Sequence, residues 1–228
     1  MSFGPIMQFT INGLQIELAP FSKEDLGEFI DHKSGRGMNQ FSVNRYLAHR
    51  VSHTIEDEVE WFEKIRTDKG HSLSWGIWVL ADDGTRTLIG VSALHDITHD
   101  HIRQATSGSM IFRKDYWGKG IASAAHKART WYAFYQLGLH RIMSAVIQGN
   151  EGSLKALTRS GYMLVYVERN THFVDGRLHH QDNLECINPN EPFWSQWWHG
   201  ERPTRRALEA RQLSQAAFTW AEENVELL

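Results

Sequence analysis

The chain has 228 residues, 41% of them hydrophobic and 22% charged, a composition that buries a substantial core and excludes wholesale disorder. Its 24 basic and 27 acidic residues leave a net charge of -3, so there is no general basic field for nucleic acid or an anionic membrane, and neither is expected as a partner. The single cysteine, Cys186, excludes an internal disulfide framework, and MSFGPIMQFTING lacks the basic start and apolar run of a secretory leader; with no stretch of membrane-spanning length, a cytoplasmic protein is expected.

In chain order, QFTINGLQIEL alternates apolar residues around Asn12-Gly13, a turn dipeptide, and predicts a hairpin. Ser22-x-x-Asp25 reads as a helix start, with Leu26, Phe29 and Ile30 forming one apolar face. GRGMNQFSVNRYLAHR has no clean period and reads as loop with some helix. Thr54-x-x-Asp57 opens a helix with Val59, Phe62 and Ile65 inward and Glu56, Glu58, Glu60 and Lys64 mostly outward. SWGIWVLADDGTRTLIGVSALHDI predicts two antiparallel strands around Asp82-Asp83-Gly84. After the polar loop THDHIRQ, a strand ends in ATSGSMIF, followed by DYWGKGIA at residues 115–122.

A helix is expected from Ile121 to Leu137, with Ile121, Ala124, Ala125, Ala128, Trp131, Tyr132 and Tyr135 on one stripe and Gly138 as its stop. Arg141 to Ile147 reads as a strand, Asn150 to Ser160 as a short helix with Leu154 and Leu157 inside, and Tyr162 to Val167 and Asn183 to Ile187 as last strands joined through Asp175-Gly176. Antiparallel strands followed by strand-helix-strand-helix-strand make a single mixed α/β (α+β) domain over residues 1–189. Residues 190–228 change composition at NPNEPFWSQWWHGERP and read as an aromatic-rich linker and C-terminal helix, with Ala210, Leu213, Ala217 and Trp220 aligned.

A strand, a bare glycine turn and a helix start together suit a phosphate, because free helical amides and the positive helix end converge where glycine lets a ligand come close. A nucleotide triphosphate loop needs a Lys-Ser or Lys-Thr pair, and here Gly120 follows Lys119. A dinucleotide fingerprint needs a third glycine where Ser123 stands, and an acidic strand end where Gln148-Gly149 stands. YWGKGIA after an apolar strand, then Asn150-x-x-Ser153, then Gly161-Tyr162, resembles the GNAT acetyltransferase superfamily, in particular its RimJ/RimL-type branch. The likeness covers roughly residues 13 to 188.

That resemblance implies a twisted mixed sheet of about seven strands flanked by helices, with acetyl-CoA as co-substrate and no metal. It implies backbone contacts to the pantetheine arm from Met110, Ile111 and Phe112, with backbone amides near Met110 holding the oxyanion. It implies a pyrophosphate cradle at Gly118, Lys119, Gly120, Ile121 and Ala122. The family often has Gln or Arg where Asp115 stands; Asp115 is expected to point away, leaving phosphate affinity to Arg113, Lys114 and Lys119. By the same resemblance Ser153 donates the thiolate's proton, or else only caps its helix, and Asn150 is the N-cap and also binds a pantetheine amide. An acidic residue on the penultimate strand is the base in RimL-like enzymes; His172 falls at that place, with Glu168 as the fallback.

The implied function is transfer of an acetyl group from acetyl-CoA to a primary amine, a protein N-terminus or a small molecule, by direct attack on the thioester. The alternative is a non-catalytic acetyl-CoA-binding sensor. His95-Asp96-x-x-His99-Asp100-His101 looks like a metal cluster but reads as a solvated polar loop, His179-His180 is a weaker candidate still, and Cys186 alternates into the core. Phe193, Trp194, Trp197 and Trp198 should not lie bare in water. They pack on their own domain, or join two subunits as a homodimer, or wall an acceptor site.

Overall fold

The computed structural model describes residues 3–31, 37–47, 52–67 and 70–228; positions 35–36 and 48–50 of the GRGMNQFSVNRYLAHR stretch lie outside these. The fold is mixed α/β, and nine strands occur among the described residues. They group into two compact units, one of residues 1–95, 108–122 and 226–228, the other of residues 96–107 and 123–225.

In the first unit, β1 (Met7–Ile11) and β2 (Leu14–Ala19) form the expected hairpin. Asn12 and Gly13 both sit at positive φ, 49° and 76°, the conformation that lets a two-residue turn match strand twist. β2 pairs antiparallel with β3 (Leu73–Leu80), and β3 with β4 (Arg86–Thr98), around a turn where the Asp83 carboxylate accepts from the Thr85 N–H at 2.9 Å. On the other side of β1 lies β9 (Glu226–Leu227), two residues that no hydrophobic period could disclose. With it the described residues hold nine strands, against the seven or so implied by the resemblance.

The start at Ser22 yields a 3-10 helix, Lys23–Glu28, with the Asp25 carboxylate accepting from the Ser22 N–H at 2.7 Å. Within the irregular stretch α1 (Phe41–Asn44) is a single turn. α2 (Ile55–Thr67) buries Phe62 and Ile65 as expected, but also Glu58, at 3% exposure. The Glu58 carboxylate meets His53 Nδ1 at 3.1 Å, and burial raises its pKa; a partner outside the helix overrides its outward reading. These elements enclose a core in which Phe21 stacks on Trp61 at 5.8 Å and Phe29 meets Phe112 at 5.1 Å. Each fully buried aromatic or aliphatic side chain of this kind contributes about 1.5–3 kcal/mol.

The second unit begins with the first half of β5 (Gln104–Ile111), which pairs in parallel with β6 (Arg141–Ile147). Parallel neighbours need a crossover, supplied by α3 (Ile121–Tyr135). β7 (Met163–Val174) and β8 (Arg177–Ile187) form a hairpin longer than expected, and β8 also pairs antiparallel with β6, so the pairing is mixed. α4 (Glu151–Thr158) joins β6 to β7. On α3 the stripe is inward except at its end, where Tyr135 is 60% exposed and stacks on Trp131 at 5.8 Å.

α5 (Glu191–Trp198) and α6 (Arg205–Asn224) lie in the second unit. α6 turns Ala207, Ser214, Ala217, Phe218 and Ala221 inward, while Leu213, expected inside, is 46% exposed. The physical reason is close approach: a Cβ on Gly161 would stand 2.5 Å from the Cβ of Ser214, so the helix presents small residues to that turn. Trp194 is buried, with the Arg211 guanidinium 4.7 Å from its ring centre. On α3 itself, Arg129 is fully buried; its Nη2 donates to Ser107 Oγ and to His126 Nδ1, the latter at 2.6 Å. Among the described residues no helix is long and apolar enough to cross a membrane.

Candidate functional site

The glycine turn follows directly on β5. A 3-10 turn, Lys114–Tyr116, leads to Gly118 and Gly120, both at positive φ (73° and 81°), and α3 starts at Ile121. A side chain is strained at either glycine, and nothing lies within 4 Å of a Cβ placed on Gly118. Two bonds fix the loop: Trp117 Nε1 donates to the Ile111 carbonyl at 2.8 Å, and Asn12 Nδ2 donates to the Lys119 carbonyl at 2.9 Å. Ile121 is buried, which anchors the helix start whose first amides have no partner four residues back.

Charges around the turn are unevenly available. Arg113 is 8% exposed, with Nη1 3.5 Å from Glu28 and Nε 3.7 Å from Asp115. Asp115 is therefore turned to a cation of its own chain. Lys114 and Lys119 are exposed, their ammonium groups 5.8 and 5.0 Å from the rings of Trp117 and Tyr116. Open glycine backbone, a helix start and two exposed lysines suit a diphosphate.

Along β5, Met110 and Ile111 are half-buried and Phe112 is fully buried. The Phe112 N–H is already given to the Ile89 carbonyl at 3.0 Å. Phe112 thus brings its ring to the core and not an amide to a ligand. At the end of β4, His95 is half-buried and its Nε2 lies 2.9 Å from the place a Cβ on Gly108 would occupy. His99, Asp100 and His101 are exposed, and among the described residues no group of three His, Cys, Asp or Glu is arranged to hold a metal.

The remaining candidates are in the second unit. Asn150 is the N-cap of α4, its Oδ1 accepting from the Ser153 N–H at 3.3 Å. Ser153 is half-buried in the first helical turn, and the cap is made by its backbone, leaving its hydroxyl outside that bond. Just ahead, Gln148 donates to Asp182 at 2.7 Å, and its carbonyl accepts from His179 Nδ1 at 2.8 Å. His179 and Asp182 are both 9% exposed. Sequence reading did not join these residues because Gln148 lies 31 and 34 positions before His179 and Asp182.

On β7, His172 stands opposite His179 and Glu168 opposite Gln181, with an irregularity between them where Asn170 takes φ 57°. Pairing with two alternate β8 residues puts both on one face of the hairpin. His172 is half-buried and its Nδ1 is 2.8 Å from the Thr171 hydroxyl; Glu168 is exposed. Burial pushes the Cys186 thiol far up, so it is a core residue and no nucleophile.

Residues 15–163 match the family described as Acetyltransferase (GNAT) domain. Over 187 residues the chain is 30% identical to the "Probable N-acetyltransferase YjcK" of Bacillus subtilis, covering 79% of this chain and 98% of that one. Mycobacterium smegmatis RimJ, solved with CoA-disulfide, superposes with a TM-score of 0.70 at 18% identity, over 99% of this chain and 97% of its own. The spermidine N-acetyltransferase of Vibrio cholerae, solved with CoA and spermine, gives 0.62 at 20% identity, over 76% and 95%.

Proposed function

We propose, on the premise that this chain belongs to the GNAT acetyltransferase family, that it moves the acetyl group of acetyl-CoA to a primary amine by direct attack on the thioester. The acceptor is the α-amino group of a protein or a small-molecule amine, as in the RimJ/RimL-type branch. The observation that carries the reading is the turn from β5 to α3, where Gly118 and Gly120 leave the backbone bare beside Lys114 and Lys119. The CoA held by the RimJ and spermidine N-acetyltransferase structures supports the same ligand here. The match to RimJ includes α5 and α6, since it runs over 99% of the chain.

In this reading the cradle amides and Lys119 bind the diphosphate, amides near Met110 hold the oxyanion, and Ser153 returns a proton to the departing sulfur. With ordinary pKa values of about 8 for an α-amino group and about 10.4 for a lysine side chain, deprotonating the acceptor at pH 7 costs roughly 1.4 or 4.6 kcal/mol. The resemblance nominates His172 to accept that proton, with Glu168 behind it; His172 is half-buried and Glu168 exposed.

The test is calorimetric titration with acetyl-CoA, with NADH as control, followed by thiol release over short N-terminal peptides and small amines. Acetyl-CoA binding with amine-dependent thiol release is expected. Binding without release on any amine would favour the sensor, and no binding would remove the cradle.

A further inference from the structure

His95 is the one histidine of the 95–101 stretch that is built into a strand and half-buried. It lies one residue beyond the last pairing of β4 with β3, Leu73 opposite Leu94. Its ring fills the side-chain position that Gly108 leaves open on β5: Nε2 and Cδ2 are 2.9 and 3.3 Å from where a Cβ would stand. Any residue but glycine at 108 would push the imidazole aside. Directly after His95 the backbone passes through φ 51° at Asp96. A left-handed residue inside a strand kinks it and re-aims the neighbouring side chain, and such conformations gather at functional sites.

Gly108 precedes Met110 by two residues, so both present the same face of β5, with Cα atoms roughly 7 Å apart. A nitrogen attacking a carbonyl sits about 3–3.5 Å from the carbon and about 2.6–3.2 Å from the base that takes its proton. Those two distances add to about 5.6–6.7 Å, of the same order as that Cα separation. If the thioester carbonyl lies at the Met110 amides, as proposed above, the attacking amine would stand on the side of the imidazole over Gly108.

The geometry points to His95, and not His172 or Glu168, as the group that accepts the amine's proton; this rests on the acetyl-CoA reading above. The ammonium gives one proton to the imidazole. The nitrogen's electron pair then forms the C–N bond, the C–S bond breaks, and the second proton lost by nitrogen balances the one gained by the thiolate. His95, being half-buried, returns its proton to solvent.

His95→Gln and His172→Gln in the full chain separate the two assignments, with acetyl-CoA affinity from calorimetry as the check that each variant is folded. For His95→Gln we expect acetyl-CoA affinity within twofold of the parent and kcat lower by about 10²–10⁴. The loss should be larger for an alkylamine than for a peptide α-amino group, partly recovered by added imidazole, and larger than the loss caused by His172→Gln. Gly108→Ala, which displaces the ring but keeps it, should also lower kcat. Independently of turnover, the imidazole signal absent from His95→Gln should shift in ¹⁵N-histidine spectra of the parent when acetyl-CoA is added. Intact affinity with unchanged kcat, or a signal that does not move, overturns the role of His95 alone; a parent protein that binds no acetyl-CoA overturns the function as well.

Discussion

Asn12, in the turn of the first hairpin, donates from Nδ2 to the carbonyl of Lys119 at 2.9 Å, 107 residues away. The bond holds the peptide between the two cradle glycines, so the turn of β1 and β2 orders the backbone proposed to meet the diphosphate. Asn12→Gly keeps the positive φ that the turn requires and removes the bond. A single hydrogen bond of this kind is worth about 0.5–1.5 kcal/mol. Acetyl-CoA affinity measured by calorimetry should fall roughly 2- to 12-fold, with the hairpin and thermal stability little changed.

Gly120→Glu tests the cradle itself. Its Cβ would stand 3.4 Å from Asn12 Nδ2, so the backbone has room for a side chain, and the strain of φ 81° costs about 1–3 kcal/mol. The carboxylate would then stand where the phosphates are proposed to lie. The variant should fold with a lowered melting temperature and bind acetyl-CoA at least tenfold more weakly. Unchanged affinity in the folded variant would take the diphosphate away from this turn.

Asn150 and Ser153 separate capping from chemistry. Because Asn150 caps α4 through the Ser153 N–H, Asn150→Ala should cost about 1 kcal/mol of stability by denaturant midpoint. Ser153→Ala should leave stability and acetyl-CoA affinity nearly unchanged and lower kcat by roughly 10²-fold. A Ser153→Ala enzyme with parental kcat would remove Ser153 as the proton donor.

What could be read in advance follows the range of the interactions. The Asn12-Gly13 hairpin, the Thr54 and Asn150 helix starts and the Gly-Lys-Gly turn are set by residues within four positions of one another, and all appear where the sequence puts them. Glu58 was misread because its burial depends on His53, off the helix. Leu213 was misread because α6 is phased by backbone approach at Gly161, 53 residues before Ser214, and not by its own apolar pattern. His95 was grouped with its sequence neighbours, while its defining contact is with Gly108 on another strand.

His126 links the buried Arg129 to the pH dependence of stability. Arginine can only donate, so the 2.6 Å contact requires His126 Nδ1 to be unprotonated. Burial first, and the Arg129 charge second, hold its pKa well below the ordinary 6.5. Folded chain keeps this ring neutral, whereas unfolded chain protonates it below about 6.5. The unfolded state therefore binds more protons in that window, and stability rises with pH: it is complete above 6.5 and is lost as pH falls toward the depressed folded value. Glu58, whose pKa burial raises, works with the opposite sign from its ordinary 4.5 upward, so the histidine must be isolated by difference. His126→Gln keeps an acceptor for Arg129 and cannot take up the proton. Denaturant unfolding from pH 7 to 5 should show the parent losing stability relative to the variant by up to about 1.4 kcal/mol per pH unit, the limit for one proton. Parallel curves would mean that His126 is not held neutral by this contact.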